Sequence, residues 1–218
     1  MTLLLVDLDN TLIDRDAAFR AAAAAFLAEH RLPAGDLSWL MGVDASGYAP
    51  REVVGNALID RYGVPGAAVR ALLDTGAADR VTLALATAGA LATARATGWT
   101  CVIVTNGRTA QQTAKIRNTG LDRLVDGWVV SEAAGHKKPA PQIFHAAAAV
   151  AGLPLRDAWV IGDSPHADIA GAAACGLPSV WISAGRPWTA PGPRPTRIAH
   201  DAAAALKQVT AGRWPARP

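Results

Sequence analysis

Short apolar runs recur along this chain, each closed by a polar or glycine-containing turn and followed by a helix-like stretch. The runs cover residues 3–8, 101–104, 128–130, 159–161 and 179–182. Such alternation predicts an α/β fold with parallel strand pairing and helices over both faces of the sheet. Thr109, with Gln112 three residues later, has capping-box spacing and predicts a helix running toward Thr119 and stopping at Gly120. Pro141 and Gly152 bracket another helix around an Ala-rich body. Beyond residue 182, the Pro-, Gly- and Arg-rich stretch 185–197 reads as a loop, followed by one helix over 202–209 and a loose tail.

Between residues 15 and 80 the rhythm breaks. That segment contains no convincing strand-like run and several helix-like stretches, notably 16–29, 51–62 and 66–73. Roughly 65 residues is far more than a crossover between neighbouring parallel strands requires. It predicts an all-helical cap over 15–80 inserted into a core made of residues 1–14 and 81–218. The simpler alternative places these helices in the layers of the core itself.

Composition narrows the class. Of 218 residues, 51% are hydrophobic and 18% charged, which is globular rather than disordered. A net charge of +3 without any Lys/Arg run argues against nucleic acid as a partner. The longest uncharged apolar stretch, residues 81–94, is too short for a membrane span. No basic leader precedes the first strand, and the two cysteines, Cys101 and Cys175, lack metal-ligand spacing. These features predict a cytoplasmic protein with no membrane partner, a monomer or small homo-oligomer.

In open α/β sheets ligands bind outside the carboxyl ends of the strands, so the residues just after each run are the candidates for chemistry. The first run leads into Asp7-Leu8-Asp9-Asn10-Thr11. Alternation along a strand sends residues i and i+2 to one face. Two carboxylates that close repel unless a cation or ligand compensates them, an arrangement suited to divalent-metal chemistry. Taken alone, the same residues also suit an Asp-rich turn. After the second run, Thr105, Asn106 and Gly107 offer a hydroxyl, an amide and free backbone to phosphate oxygens. Lys138, ahead of Pro139, is a point charge suited to phosphate. The fourth run closes with Gly162-Asp163-Ser164-Pro165-His166-Ala167-Asp168, where Asp168 is also placed to cap a helix.

Together these motifs, in this order, resemble the haloacid dehalogenase superfamily from Leu3 to about Arg186. The resemblance implies a Rossmann-like core with a helical cap, acting as an Mg²⁺-dependent phosphatase. It implies that Asp7 is the nucleophile, forming an aspartyl-phosphate, and that Asp9 is the general acid/base. Thr105 and Lys138 hold the phosphoryl group, with Asn106 beside them at the substrate. Asp7, the Asp9 carbonyl and Asp163 form the metal site, supported by Asp168. Dehalogenase members replace the second acid, because a leaving halide needs no proton; Asp9 therefore points to phosphate esters. A phosphomutase is similar in these motifs, though the Asp-Asn-Thr form resembles the phosphatases more. A catalytically silent binding protein on the same fold predicts the loss of a charged core residue, and none is missing. The implied partner is a small phosphorylated metabolite. Arg15, Phe19, Trp39, Tyr48 and Arg51 in the insert carry recognition chemistry without a specific assignment.

Overall fold

The computed structural model describes residues 2–211, and the expected tail past that point lies outside the described residues. Six strands pair in parallel: β1 (Thr2–Val6), β2 (Trp99–Thr105), β3 (Gly127–Val130), β4 (Trp159–Gly162), β5 (Ser179–Ile182) and β6 (Arg197–Ala199). Their order is β3-β2-β1-β4-β5-β6. The chain winds from β1 toward β3, then returns to the other side of β1. The topological switch, where a ligand crevice forms, is therefore at β1.

Strand alternation divides the core cleanly. Leu4, Val6, Cys101, Ile103 and Ile161 face one layer, and Leu3, Leu5, Val102, Val104 and Val160 face the other. The first layer is closed by α5 (Leu85–Ala96), α6 (Thr109–Asn118) and α10 (Ala202–Thr210), through Leu91, Ile116 and Leu206. The second is closed by α8 (Pro141–Ala151) and the short α9 (Ala170–Ala174), through Phe144, Ala147 and Ala172. A four-residue helix, α7 (Ser131–Ala134), follows β3 directly.

Residues 15–80 hold four α-helices and, among the described residues, no strand: α1 (Arg15–Glu29), α2 (Leu37–Asp44), α3 (Arg51–Tyr62) and α4 (Gly66–Thr75). Asp14 caps α1 by accepting from the Ala17 N–H at 2.8 Å. Successive helices pack on one another, and α4 returns to α1. Phe19, Leu27, Leu40 and Leu58 are almost fully buried, each stabilising the packing by about 1.5–3 kcal/mol. Just outside the two ends of the segment, Ile13 and Leu83 form an antiparallel bridge. No helix among the described residues is long and apolar enough to cross a membrane.

Several expectations change. The first strand stops at Val6 rather than residue 8, because the Thr11, Leu12 and Ile13 N–H groups all turn back to the Leu8 carbonyl. Helix α2 was not expected. Nor was β6, which adds an edge strand at the end of the anticipated loop, with Ser183 N–H donating to the Ala199 carbonyl at 2.8 Å. The Thr109–Gln112 capping box does not form. Instead, the Glu132 carboxylate at the start of α7 accepts from the Thr109 N–H at 2.7 Å, leaving Gln112 free for the site.

Candidate active site

Three neighbouring strands deliver the candidate residues to one crevice. Asp7 follows β1, and its N–H donates to the Ile161 carbonyl of β4 at 2.9 Å. Thr105 ends β2, and Asp163 follows β4. Lys138 reaches in from the loop before α8. Its Nζ donates to Asp7 Oδ1 at 2.6 Å, Asp168 Oδ1 at 2.7 Å and the Val104 carbonyl at 2.7 Å. All three protons of the ammonium are thereby used, and its side chain is 3% exposed.

The loop that carries Lys138 is pinned by Asn106. The amide of Asn106 donates to the Lys138 carbonyl at 3.0 Å, and its Oδ1 accepts from the Lys138 N–H at 2.8 Å. On the far side, a wide turn over Pro165–Ile169 folds Asp168 back onto the strand end. Ser164, not Asp168, is the residue that caps this turn, accepting from the Ala167 N–H at 3.1 Å. Asp168 instead accepts from the Ser164 N–H at 3.0 Å. Gly162 makes this possible: a Cβ there would lie 2.2 Å from the Asp168 carboxyl carbon.

Asp7, Asp163 and Asp168 bring carboxylate oxygens within 4.8 Å of one another, all buried. Burial, together with the neighbouring acids, pushes Asp7 up to about 7 against the opposing pull of Lys138. Asp163 is pushed up to about 8, again by burial first and then by Asp7 and Asp168. Burial pulls Lys138 down, but Asp168 and Asp7 more than offset it, so its affinity for the proton rises. One ammonium in contact with two of three buried carboxylates leaves the cluster short of positive charge. Arg186 stands 3.7 Å from Asp163, half exposed. An all-oxygen, carboxylate-rich donor set of this kind fits a hard divalent cation such as Mg²⁺.

Asp9 does not join that cluster with its side chain. Its carboxylate turns to α6, where Lys115 Nζ donates to Oδ1 at 2.7 Å and to Oδ2 at 2.8 Å. Gln112 Nε2 donates to Asp9 Oδ2 at 2.9 Å and to Thr105 Oγ1 at 2.6 Å. Sequence reasoning missed Lys115 and misread Gln112. The signal was their i, i+3 spacing in the first turns of a helix that opens directly beneath the Thr105 strand end.

These residues line a cavity of ≈ 320 Å³ under the helical segment. Arg15, Phe19, Tyr48 and Arg51 reach it, whereas Trp39 lies away from it, packed edge-on to Tyr62 and under the Arg61 guanidinium. Arg15 is held by a two-pronged pair with Asp44, one arm at 2.7 Å.

A profile of the haloacid dehalogenase-like hydrolases matches residues 1–176. The chain belongs to that family. Among curated hydrolases, it is 32% identical over 92 residues to glyceraldehyde 3-phosphate phosphatase of Pyrococcus abyssi, covering 42% of this chain and 39% of that one. It is 39% identical over 83 residues to pyrimidine 5'-nucleotidase YjjG of Escherichia coli, covering 38% and 37%. It is also 33% identical over 95 residues to phosphoserine phosphatase of Thermus thermophilus, covering 44% and 38%. The aligned parts thus span about two-fifths of these relatives' length. Among solved structures, the hydrolase YfnB of Bacillus subtilis bound to magnesium superposes with a TM-score of 0.75 at 24% identity, covering 95% of this chain and 96% of that one. At that identity the likeness establishes the fold.

Proposed function

We propose that this hydrolase is an Mg²⁺-dependent phosphatase that cleaves a small phosphorylated metabolite through an aspartyl-phosphate on Asp7. The observation that carries the reading is the Asp7 carboxylate itself. It stands at the switch-point strand end, held at 2.6 Å by Lys138 and crowded by two further acids, with Asp9 two residues on. Asp7, Asp163 and the Asp9 carbonyl would hold the cation, with Asp168 supporting. When bound, Mg²⁺ supplies the positive charge that lets a phosphate dianion approach a carboxylate.

In the first step an Asp7 oxygen attacks phosphorus while the bond to the ester oxygen breaks. Asp9 gives its proton to the departing alkoxide. Thr105 holds an oxygen of the transferring group, the Lys138 ammonium balances its charge from its seat between Asp7 and Asp168, and Asn106 fixes the loop that carries Lys138. In the second step water attacks phosphorus and loses a proton to Asp9, and the acyl-phosphate bond breaks to return Asp7 and inorganic phosphate. Catalysis is mostly positioning and charge stabilisation, as phosphoryl transfer requires.

Residues 15–80 act as the cap, excluding water and meeting the leaving group. Support comes from the placement of Arg15, Phe19, Tyr48 and Arg51 along the cavity, whose size suits a metabolite rather than a polymer. The named activities of the curated relatives, all on small phosphate esters, point the same way. Two free cysteines fit a reducing, cytoplasmic setting. The test is a panel of phosphomonoesters assayed with Mg²⁺, alongside Asp7→Asn. Release of phosphate from several esters by the parent, and from none by the variant, is the expected result. Turnover that survives in Asp7→Asn defeats the covalent route.

A further inference from the structure

We infer that Lys115 and Gln112 form a clamp on one face of α6 that positions the Asp9 carboxylate against the Thr105 hydroxyl. The inference rests on the acid–base reading of Asp9 given above. Neither residue touches Asp7, Asp163 or Asp168, and no step proposed above uses either one.

Lys115 takes both oxygens of a single carboxylate at 2.7 and 2.8 Å, with its own side chain only 3% exposed. An ion pair buried in this way is weak evidence for a role in stability, since replacing both partners by apolar residues of like volume is often neutral. What the ammonium adds is a grip on both oxygens, which together with Gln112 restricts rotation of the Asp9 carboxylate. Asp9 needs this, because it lies beyond the end of β1, in the turn that folds back to the Leu8 carbonyl. Its backbone makes only an isolated bridge to Ile13, which leaves the side chain to be set by its own partners.

Gln112 then sets a distance. The same Nε2 donates to Asp9 Oδ2 at 2.9 Å and to Thr105 Oγ1 at 2.6 Å, so the proton-transfer group and a phosphoryl-holding hydroxyl are tied through one amide. The turn is shaped for that amide. Gly107 has φ +147, and a Cβ there would come within 3.0 Å of the Gln112 side chain. Small misplacements at a reacting centre cost about 10²-fold in rate, which is the effect such a clamp prevents.

The test uses the full-length protein with Mg²⁺ and two probes, p-nitrophenyl phosphate and phenyl phosphate, in single-turnover release of the phenol. Nitrophenolate departs without a proton, whereas phenolate departs with one. Lys115→Met should slow phenyl phosphate by about 30- to 100-fold, yet leave release from p-nitrophenyl phosphate within about threefold. In an Asp9→Asn background the same substitution should add nothing to this difference. Lys115→Gln, which keeps a polar head, provides a second variant should Lys115→Met melt too low to assay. Equal slowing of both esters, or additive effects in the double variant, overturns the clamp. Asp9→Asn with the parent's ratio of the two esters would overturn the acid–base reading itself. A steep ratio in Asp9→Asn with a parental ratio in the Lys115 variants would overturn the clamp alone.

Discussion

Lys138→Met should destabilise the metal-free protein severely, and the size of the loss should depend on pH. Methionine fills nearly the same volume, so little cavity forms. What disappears is the ammonium shared by Asp7 at 2.6 Å and Asp168 at 2.7 Å, together with the donor to the Val104 carbonyl. Removing one partner of a buried ion pair costs about 3–5 kcal/mol, because the remaining charge stays buried without compensation. In a chain of this size 1 kcal/mol moves the melting temperature by about 2–4 °C, so a fall of about 6–20 °C is expected at pH 8 in EDTA.

The pH dependence follows from the raised acids. Burial and mutual crowding push Asp7 up to about 7 and Asp163 up to about 8 in the folded protein, well above the ordinary carboxylate value of 3.8. Folding therefore takes up protons between those values. The associated stability is fully present below about pH 4 and drains away as pH rises toward 8. Loss of Lys138 pushes both acids further up and extends this decline to higher pH. At pH 5 parent and variant both carry Asp7 and Asp163 neutral, so the gap between their melting curves should narrow. Circular dichroism melts at pH 5 and pH 8 measure both effects. A fall below about 3 °C at pH 8, or an equal fall at both pH values, would refute the charge argument.

What was legible in the sequence depended on how local the cause was. Asp7, Thr105, Asn106 and Asp163 stand at or within two residues of the ends of apolar runs, and parallel strands necessarily send their carboxyl ends to one edge. Lys138 was legible from its turn and its charge. Asp9 was only half legible. Alternation would place it beside Asp7, but the strand ends at Val6, and its carboxylate is drawn to a lysine on a helix that starts a hundred residues later. The Gln112 misreading has the same origin. Thr109 and Gln112 have capping spacing, yet Glu132 from another strand end reaches the helix first. Edge strand β6 is three residues long and owes its pairing to β5, which no local pattern reports. Conversely, Asp168 as a helix cap was a sound local reading that lost to a tertiary partner, since Lys138 captures its carboxylate and Ser164 takes over the cap.

Asp7→Asn should abolish turnover with the fold kept, and p-nitrophenyl phosphate assays beside circular dichroism would expose any residual activity. Ca²⁺ should support the reaction poorly, because it accepts six to eight oxygens and draws in both oxygens of Asp7; equal rates with Ca²⁺ and Mg²⁺ would sink that argument. Burial, helped by Asp126, pushes the Cys101 thiol up to about 12, and burial raises the half-buried Cys175 as well, so native protein at pH 8 should give one slowly reacting equivalent to a thiol reagent, from Cys175, and two only when unfolded. The sharpest packing test is Gly162→Ala. Its new Cβ would sit 2.2 Å from the carboxyl carbon of Asp168 and 2.5 Å from that residue's own Cβ. The second of these lies next to the backbone and cannot swing aside, so the Pro165–Ile169 turn has to move and take the carboxylate off Lys138. Such overpacking costs about 1–3 kcal/mol. Gly89→Ala in α5 is the matched control, since nothing lies within 4 Å of its added methyl. It should raise stability by about 0.5–1 kcal/mol through helix propensity alone. Gly162→Ala should melt lower and lose most of the proposed phosphatase activity, while Gly89→Ala melts slightly higher at full activity. If both alanines leave rate and melting temperature at parental values, the close seat of Asp168 against the strand end is not what orders this site.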